Sequence, residues 1–352
     1  MPHSLPTPDD GAEVRERFAR AARAERPDLA LLCLLISAAG GEQPPDATRP
    51  APDRPAPARD DARNRDAAQG RDTAPGRDDA QGRGDGQGRD DGHAPDGEAL
   101  PPGGRIDALI DAAQIELDRL TGSLPYAPRR TPREWADALA ALLGTREGFH
   151  GTAGDYERLE SSLLSAVLRR RRGLPILLSV VWIEVARRAG APVHGVALPG
   201  HFVVGFGDPG GAPGTDGAEH VLVDPFNGGD VLSAEDASAF VASATGTPLT
   251  PAMLRAADPL DVVLRVLGNI RAWAAGRPER SGVRLWAVEL SLLLPRHPAQ
   301  LRYERARLLV ERGDFRAGAD ALEDYAAVLA GVEPQTAESI RHEARAARAR
   351  LN

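Results

Sequence analysis

Lysine is absent from this chain of 352 residues: all 43 of its basic side chains are arginine. It has no lysine amine to donate in cross-linking, and so complete a bias reads as a genome-wide nucleotide preference rather than local chemistry. Cysteine is almost as scarce. Cys33 stands alone, which excludes an internal disulfide. The eight histidines show no His-x-x-x-His spacing and the chain no Cys-x-x-Cys, so neither a metal site nor a cofactor is indicated. No apolar run reaches the roughly 20 residues of a membrane span, and Met1 to Asp10 carries acids and prolines where a signal sequence would turn apolar. A cytoplasmic protein with no membrane partner is expected. Acids outnumber bases 51 to 43, which speaks against a nucleic-acid partner.

Large apolar side chains are missing over a long internal stretch. From Gln43 to Gly104 the text repeats short Gly, Arg, Asp and Gln words such as Gln69-Gly-Arg-Asp and Gly86-Gln-Gly-Arg-Asp-Asp-Gly. Such a segment buries too little surface to offset its chain entropy, so 44–104 reads as a disordered insertion. Arg83-Gly84-Asp85 within it needs no explanation beyond chance in a run of those letters. Helical patterns flank the insertion. Val14–Ala24 and Leu29–Ala39 precede it, while Ile106, Leu109, Ile110, Ala113, Leu117 and Leu120 keep helical spacing after it, followed by Trp135–Leu143. A further helix is expected from about Glu157 to the run Arg169–Arg172, whose cations suit a solvated carboxyl end.

The chemistry-bearing text lies between Gly173 and Gly229. Proline at a first turn and glycine at a C-cap predict a helix from Pro175 to Ala189. Only Ser179 and Glu184 interrupt its apolar surface, the pattern of a helix buried on most sides. Glu184 is either a paired, buried carboxylate or one facing a crevice. Three strand-like runs follow, Val193–Leu198, His201–Phe206 and His220–Val223, separated by Pro199-Gly200 and a glycine-rich loop. The fold class is therefore α+β, with one buried helix on an antiparallel meander. His201 opens the second strand and Asp224 closes the third, so Asp224 can accept from one imidazole nitrogen and fix the tautomer. The ordinary alternative is a structural histidine held by an aspartate at a turn.

The order of helix, strand, strand with His and strand with Asp resembles the transglutaminase-like core, itself related to papain. The chain is similar to the bacterial SirB-type branch in Gly148-Phe-His-Gly151, Asp155-Tyr156, the Arg-Arg-x-Gly-x-Pro-Ile words ending at Ile176, Pro199-Gly-His-Phe202 and Asp224-Pro-Phe-Asn-Gly-Gly229. It departs at Thr152 and at Ser161-Ser162, where the family shows asparagines. The resemblance implies a helical N-terminal part in 1–43 and 105–172, a papain/transglutaminase-like core in 173–257, and catalytic roles for His201 and Asp224. It also places Pro175 where the superfamily keeps its nucleophilic cysteine. That chemistry needs a thiolate at a helix N-terminus, which Pro175 cannot supply. Cys33, in an apolar stretch, reads as a buried, inert thiol. Ser179, one turn along the helix, is a weak substitute, since a hydroxyl needs an adjacent base and an oxyanion hole, and a serine bonded within a buried helix is the ordinary reading.

From 258 to 352 the chain is helical again. Ala306 and Gly318, twelve apart around Gly313-Asp314-Phe315, suit one tetratricopeptide-like helix pair, with a weaker pair from Leu260 to Leu294. This all-α tail is either a buttress or a groove for a protein or peptide partner. Two functions remain open. One is a non-enzymatic binding or regulatory module whose transglutaminase-like core lacks its nucleophile. The other is a hydrolase or acyl transferase in which His201, oriented by Asp224, activates water or a hydroxyl.

Overall fold

The computed structural model describes residues 8–41, 103–127, 129–209 and 220–351. The expected insertion at 44–104 lies almost wholly outside them. Two helices open the chain, α1 (Pro8–Ala22) and α2 (Leu29–Ala39). Asp28 caps α2 by accepting from the Leu31 N–H at 2.9 Å. Leu32, Leu34, Leu35 and Ile36 are all enclosed, each contributing about 1.5–3 kcal/mol of burial. The long helix α3 (Gly104–Gly122) lays Ile106, Leu109, Ala113, Leu117 and Leu120 on the same core, as their spacing predicts.

A Thr131/Glu134 capping box starts α4 (Pro132–Leu139), which runs on into a widened π turn at Ala140–Arg146. The expected helix from Glu157 to Arg172 is not continuous. Two single 3₁₀ turns, Ala153–Glu157 and Leu159–Ser162, precede a short α5 (Leu164–Arg170). The cause is the buried Asp155 carboxylate, which takes the Thr152 N–H and the hydroxyls of Thr152 and Ser161 at 2.9–3.1 Å and wraps the chain around itself. Nor are Arg170 to Arg172 a solvated helix end. Arg170 and Arg172 pair with Asp155, and Arg171 with Glu116 and Glu147. Arg171 holds a left-handed conformation with φ 58°, which turns the chain sharply toward the next helix.

That helix, α6 (Pro175–Arg188), is buried at every residue from Pro175 to Ala186. Four antiparallel strands pair in sequence order: β1 (Val193–Val196), β2 (Val203–Gly207), β3 (His220–Asp224) and β4 (Asp230–Leu232). Val204, Phe206, Val221 and Val223 share the core of α6. The opposite face, with Val196, Val203, Leu222 and Leu232, is covered by α7 (Ala234–Thr245) through Ala237 and Val241. Neither β4 nor α7 was legible. The short β4 lies in a glycine-rich stretch, and α7 is small and alanine-rich, with little apolar periodicity.

The remainder is helical, as the pattern predicts: α8 (Pro259–Ala275), α9 (Ser281–Leu293), α10 (Gln300–Glu311), α11 (Phe315–Leu329) and α12 (Pro334–Ala349). Ala306 and Gly318 sit where α10 and α11 approach. A Cβ on Gly318 would stand 3.1 Å from the Ala306 carbonyl oxygen. Ala319, Leu322, Tyr325, Ala337 and Ile340 fill the space between α11 and α12.

Candidate functional site

The turn Pro199-Gly200 delivers His201 just before β2, which begins at Val203; His201 is therefore in the turn and not the first residue of the strand. Asp224 ends β3 as expected. The two meet, with His201 Nε2 3.0 Å from Asp224 Oδ2. That nitrogen is enclosed and makes no aligned hydrogen bond, so a small rotation of the ring completes or breaks the pair. Asp224 itself is fixed from two sides. Its Oδ1 accepts from the Phe226 N–H at 2.9 Å and its Oδ2 from the Asn227 amide at 2.8 Å. This Asx-type turn is what Asp-Pro-Phe-Asn encodes.

Aromatic rings cover the imidazole. Phe240 of α7 stacks on it with ring centroids 4.8 Å apart, and Phe226 meets it edge-on at 6.4 Å. The His201 side chain is consequently 12% exposed. With Nε2 turned to Asp224, Nδ1 is the nitrogen left for any bound group. Arg265 of α8 holds the turn from below. Its guanidinium donates to the carbonyls of Leu198 at 3.2–3.3 Å and of His201 at 3.2 Å, and its face lies over Phe202. Burial lowers its pKa, an effect that Tyr156 partly offsets. Tyr156 is half exposed beside Phe226; burial and the nearby Asp224 carboxylate push its phenol up. Nothing in the local sequence marks Arg265 or Phe240 as neighbours of His201. Both arrive through tertiary contacts, whereas Tyr156 and Asn227 stand in legible words.

Around the start of α6 the chain is tightly held. Leu174 donates its N–H to Ser161 O at 2.9 Å, and Pro175 is the first helical residue and buried. α6 packs against the Pro225–Asn227 turn that follows Asp224. Ser179 is fully buried and its hydroxyl points at the Phe202 carbonyl at 3.4 Å, next to His201 in the chain. A serine so enclosed has no path to a substrate. Cys33 lies elsewhere. It is buried in α2, and desolvation together with the charges of Glu184 and Asp28 drives its thiol pKa far up. Glu184 is nine residues from Pro175, about 14 Å along α6, so the sulfur sits by the far half of that helix. Among the described residues no cluster of three or more His, Cys, Asp or Glu is placed to hold a metal ion, and no helix is long and apolar enough to cross a membrane.

Comparison with known proteins agrees with this architecture. Residues 104–268 match the transglutaminase-like superfamily, and residues 270–352 match the tetratricopeptide repeat. A UPF0162 protein of Xylella fastidiosa (strain 9a5c) is 34% identical over 176 residues, covering 48% of this chain and 60% of that protein. A UPF0162 protein of Vibrio cholerae is 26% identical over 198 residues, covering 55% of this chain and 70% of its own length. F-box only protein 21 of Homo sapiens is 26% identical over 184 residues, half of this chain and 28% of that protein. The chain thus carries a transglutaminase-like domain followed by tetratricopeptide-like helices, and the two matched regions meet inside the continuous helix α8 rather than at a linker.

Proposed function

We propose that this transglutaminase-like domain works without thiol chemistry, as a binding or regulatory module of the SirB type. The observation that carries the reading is the start of α6: Pro175 stands at its first position, where a thiolate would be needed. The chain's sole thiol is sealed in α2 with a raised pKa. Two aromatic rings cover His201, and Ser179 is spent on a backbone carbonyl. Covalent acyl transfer has no attacking atom under this reading. A cytoplasmic setting and the absence of a nucleic-acid partner belong to the same proposal.

The helical tail supplies the surface for a protein partner. A groove of about 450 Å³ opens between α8, α9 and α10, lined by Arg271, Arg284, Arg307, Tyr303, Glu304 and Glu311. Glu304 already pairs with Arg271 at 2.8 Å and Arg284 at 2.9 Å, while Arg307 lies over the Tyr303 ring and approaches Glu311 at 3.8 Å. Three cations against two anions favour an acidic segment.

The test combines reactivity with turnover. Iodoacetamide at pH 8 leaves Cys33 unmodified in the folded protein and labels it after denaturation. Glutamine-containing peptides release no ammonia, with or without an added amine, and His201→Ala changes nothing. Ammonia release or peptide cleavage that vanishes in both His201→Ala and Asp224→Ala would overturn the reading. It would favour instead a general-base hydrolase, for which the 3.0 Å approach of the two residues is the supporting observation.

A further inference from the structure

On the far side of the sheet from α7, a second cleft of about 360 Å³ opens between the α1–α2 turn, the last turns of α6, the outer edge of β1 and the start of α8. It shares no lining residue with the His201 region. Its walls are apolar, with Leu29, Ile183, Val193, Pro259 and Val262. Charges stand at defined places among them. Glu184, only 3% exposed, contributes a carboxylate. Arg187 at 2.7 Å and Arg188 at 3.7 Å both approach its Oε2, and Oε1 accepts from no described residue. That second oxygen is not among the sealed, unpartnered atoms of the core, so it stays open to a donor entering the cleft.

The rim provides the opposite sign. Arg26 lines the cleft and pairs with no acid among the described residues, while the remaining anion, Asp28, is occupied in capping α2. Two arginines, Arg26 and Arg187, thus face two carboxylates, Asp28 and Glu184. Arg188 is balanced by Asp118 outside the cleft. His194, the other titratable group on the wall, is kept neutral at pH 7, because burial and the adjacent His220 lower its pKa to about 4. A lining with no net charge selects a ligand with none.

The edge of β1 adds main-chain recognition. The Gly195 carbonyl accepts from the Ala257 N–H at 2.8 Å, so it faces away from β2. By the alternation of antiparallel pairing, Val193 turns its N–H and C=O the same way. Donor and acceptor therefore border the cleft beside the apolar wall.

We propose that this cleft is a binding site for a small zwitterion with an apolar side chain, the chemistry of an aliphatic α-amino acid. The ammonium meets Glu184 Oε1, the carboxylate meets Arg26, and the side chain lies on Val193, Ile183 and Val262. The volume is that of a small-ligand pocket, and the mixture of apolar wall with few polar anchors is the usual composition of one. Because the site stands apart from His201 and Asp224, its failure leaves the reading of that pair untouched.

Isothermal titration at pH 7 tests it, with L-leucine, L-leucinamide and 4-methylpentanoate as probes. Leucine binds saturably, and each analogue, lacking one of the two charges, binds at least about tenfold more weakly, the effect of losing one charge-assisted contact. Arg26→Ser, on an exposed turn, weakens leucine by a similar factor without altering the fold, and Val262→Phe blocks the cleft. Glu184→Gln abolishes the preference for leucine over 4-methylpentanoate; because it also unsettles two arginines, the Arg26 and Val262 variants carry the test if it fails to fold. Absence of saturable heat up to about 10 mM leucine, far weaker than ordinary specific sites, overturns the proposal. So does leucinamide binding as tightly as leucine, or wild-type affinity in Arg26→Ser.

Discussion

Replacing Gly229 by alanine probes how the turn after Asp224 is locked to α6. Gly229 has φ 96°, and a Cβ there would stand 2.2 Å from Trp182 Cη2 and 3.0 Å from Ala140 Cβ. Trp182 is fully enclosed and cannot swing away. Two costs add. The left-handed backbone costs an alanine about 1–2 kcal/mol, and forcing a methyl group against an enclosed indole costs a further ~1–3 kcal/mol. A total of about 2–5 kcal/mol is a large share of the ~5–15 kcal/mol that typically stabilises a domain. Gly190→Ala is the control, since its φ of 84° carries the backbone cost while its Cβ would meet nothing within 4 Å. Urea unfolding followed by tryptophan fluorescence measures both. Gly229→Ala is the less stable by at least about 1 kcal/mol. Equal losses in the two variants would refute the claim that Trp182 and the turn are in rigid contact.

Three further outcomes follow from the same geometry. Asp155 is buried, which by itself raises its pKa, but the Thr152 and Ser161 hydrogen bonds and Arg172 bring it below the usual range. Its folded pKa being depressed, its contribution is full above the unfolded value near 4 and fades as pH falls further. Asp155→Asn therefore destabilises the protein at pH 7 and flattens its acid limb, as read by unfolding at a series of pH values. His194, held near 4 by burial and His220, resists a proton that the unfolded chain accepts near 6.5. Stability accordingly falls as pH drops from about 7 toward 4, and His194→Gln shrinks that fall in thermal melts. Leu322→Ala, in the enclosed space of the tail, costs about 2–5 kcal/mol, measured by urea unfolding monitored by circular dichroism.

Much of the fold could be read from apolar spacing. Ile106 to Leu120 on α3 and the unbroken apolar surface of α6 are local signals, and both elements lie where those signals put them. Asp155 shows where local signals stop. Its carboxylate reorganises the chain from Thr152 to Ser161 through bonds to those two residues, and no periodicity encodes that. The arginine run looked like a solvated helix end because its partners, Glu116, Glu147 and Asp155, are 15 to 55 residues away. His201 and Asp224 were legible because one follows and the other opens a recognisable turn. The rings on His201 and the guanidinium beneath it were not, since Phe240 and Arg265 come from helices with no motif of their own. Glu184 stood out as a charge in an apolar helix, and its position resolves the two readings by satisfying both: it is paired, and it faces a crevice.

Helix α8 enters both halves of the molecule. Arg265 grips the carbonyls on either side of Pro199-Gly200, and Arg271, six residues later, lines the groove of the tail. Six residues of helix span about 9 Å, with no hinge between the two arginines. A partner that tilts α8 by seating in that groove would drag the imidazole-bearing turn with it, so occupancy of the tail would be mechanically transmitted to the His201 and Asp224 pair.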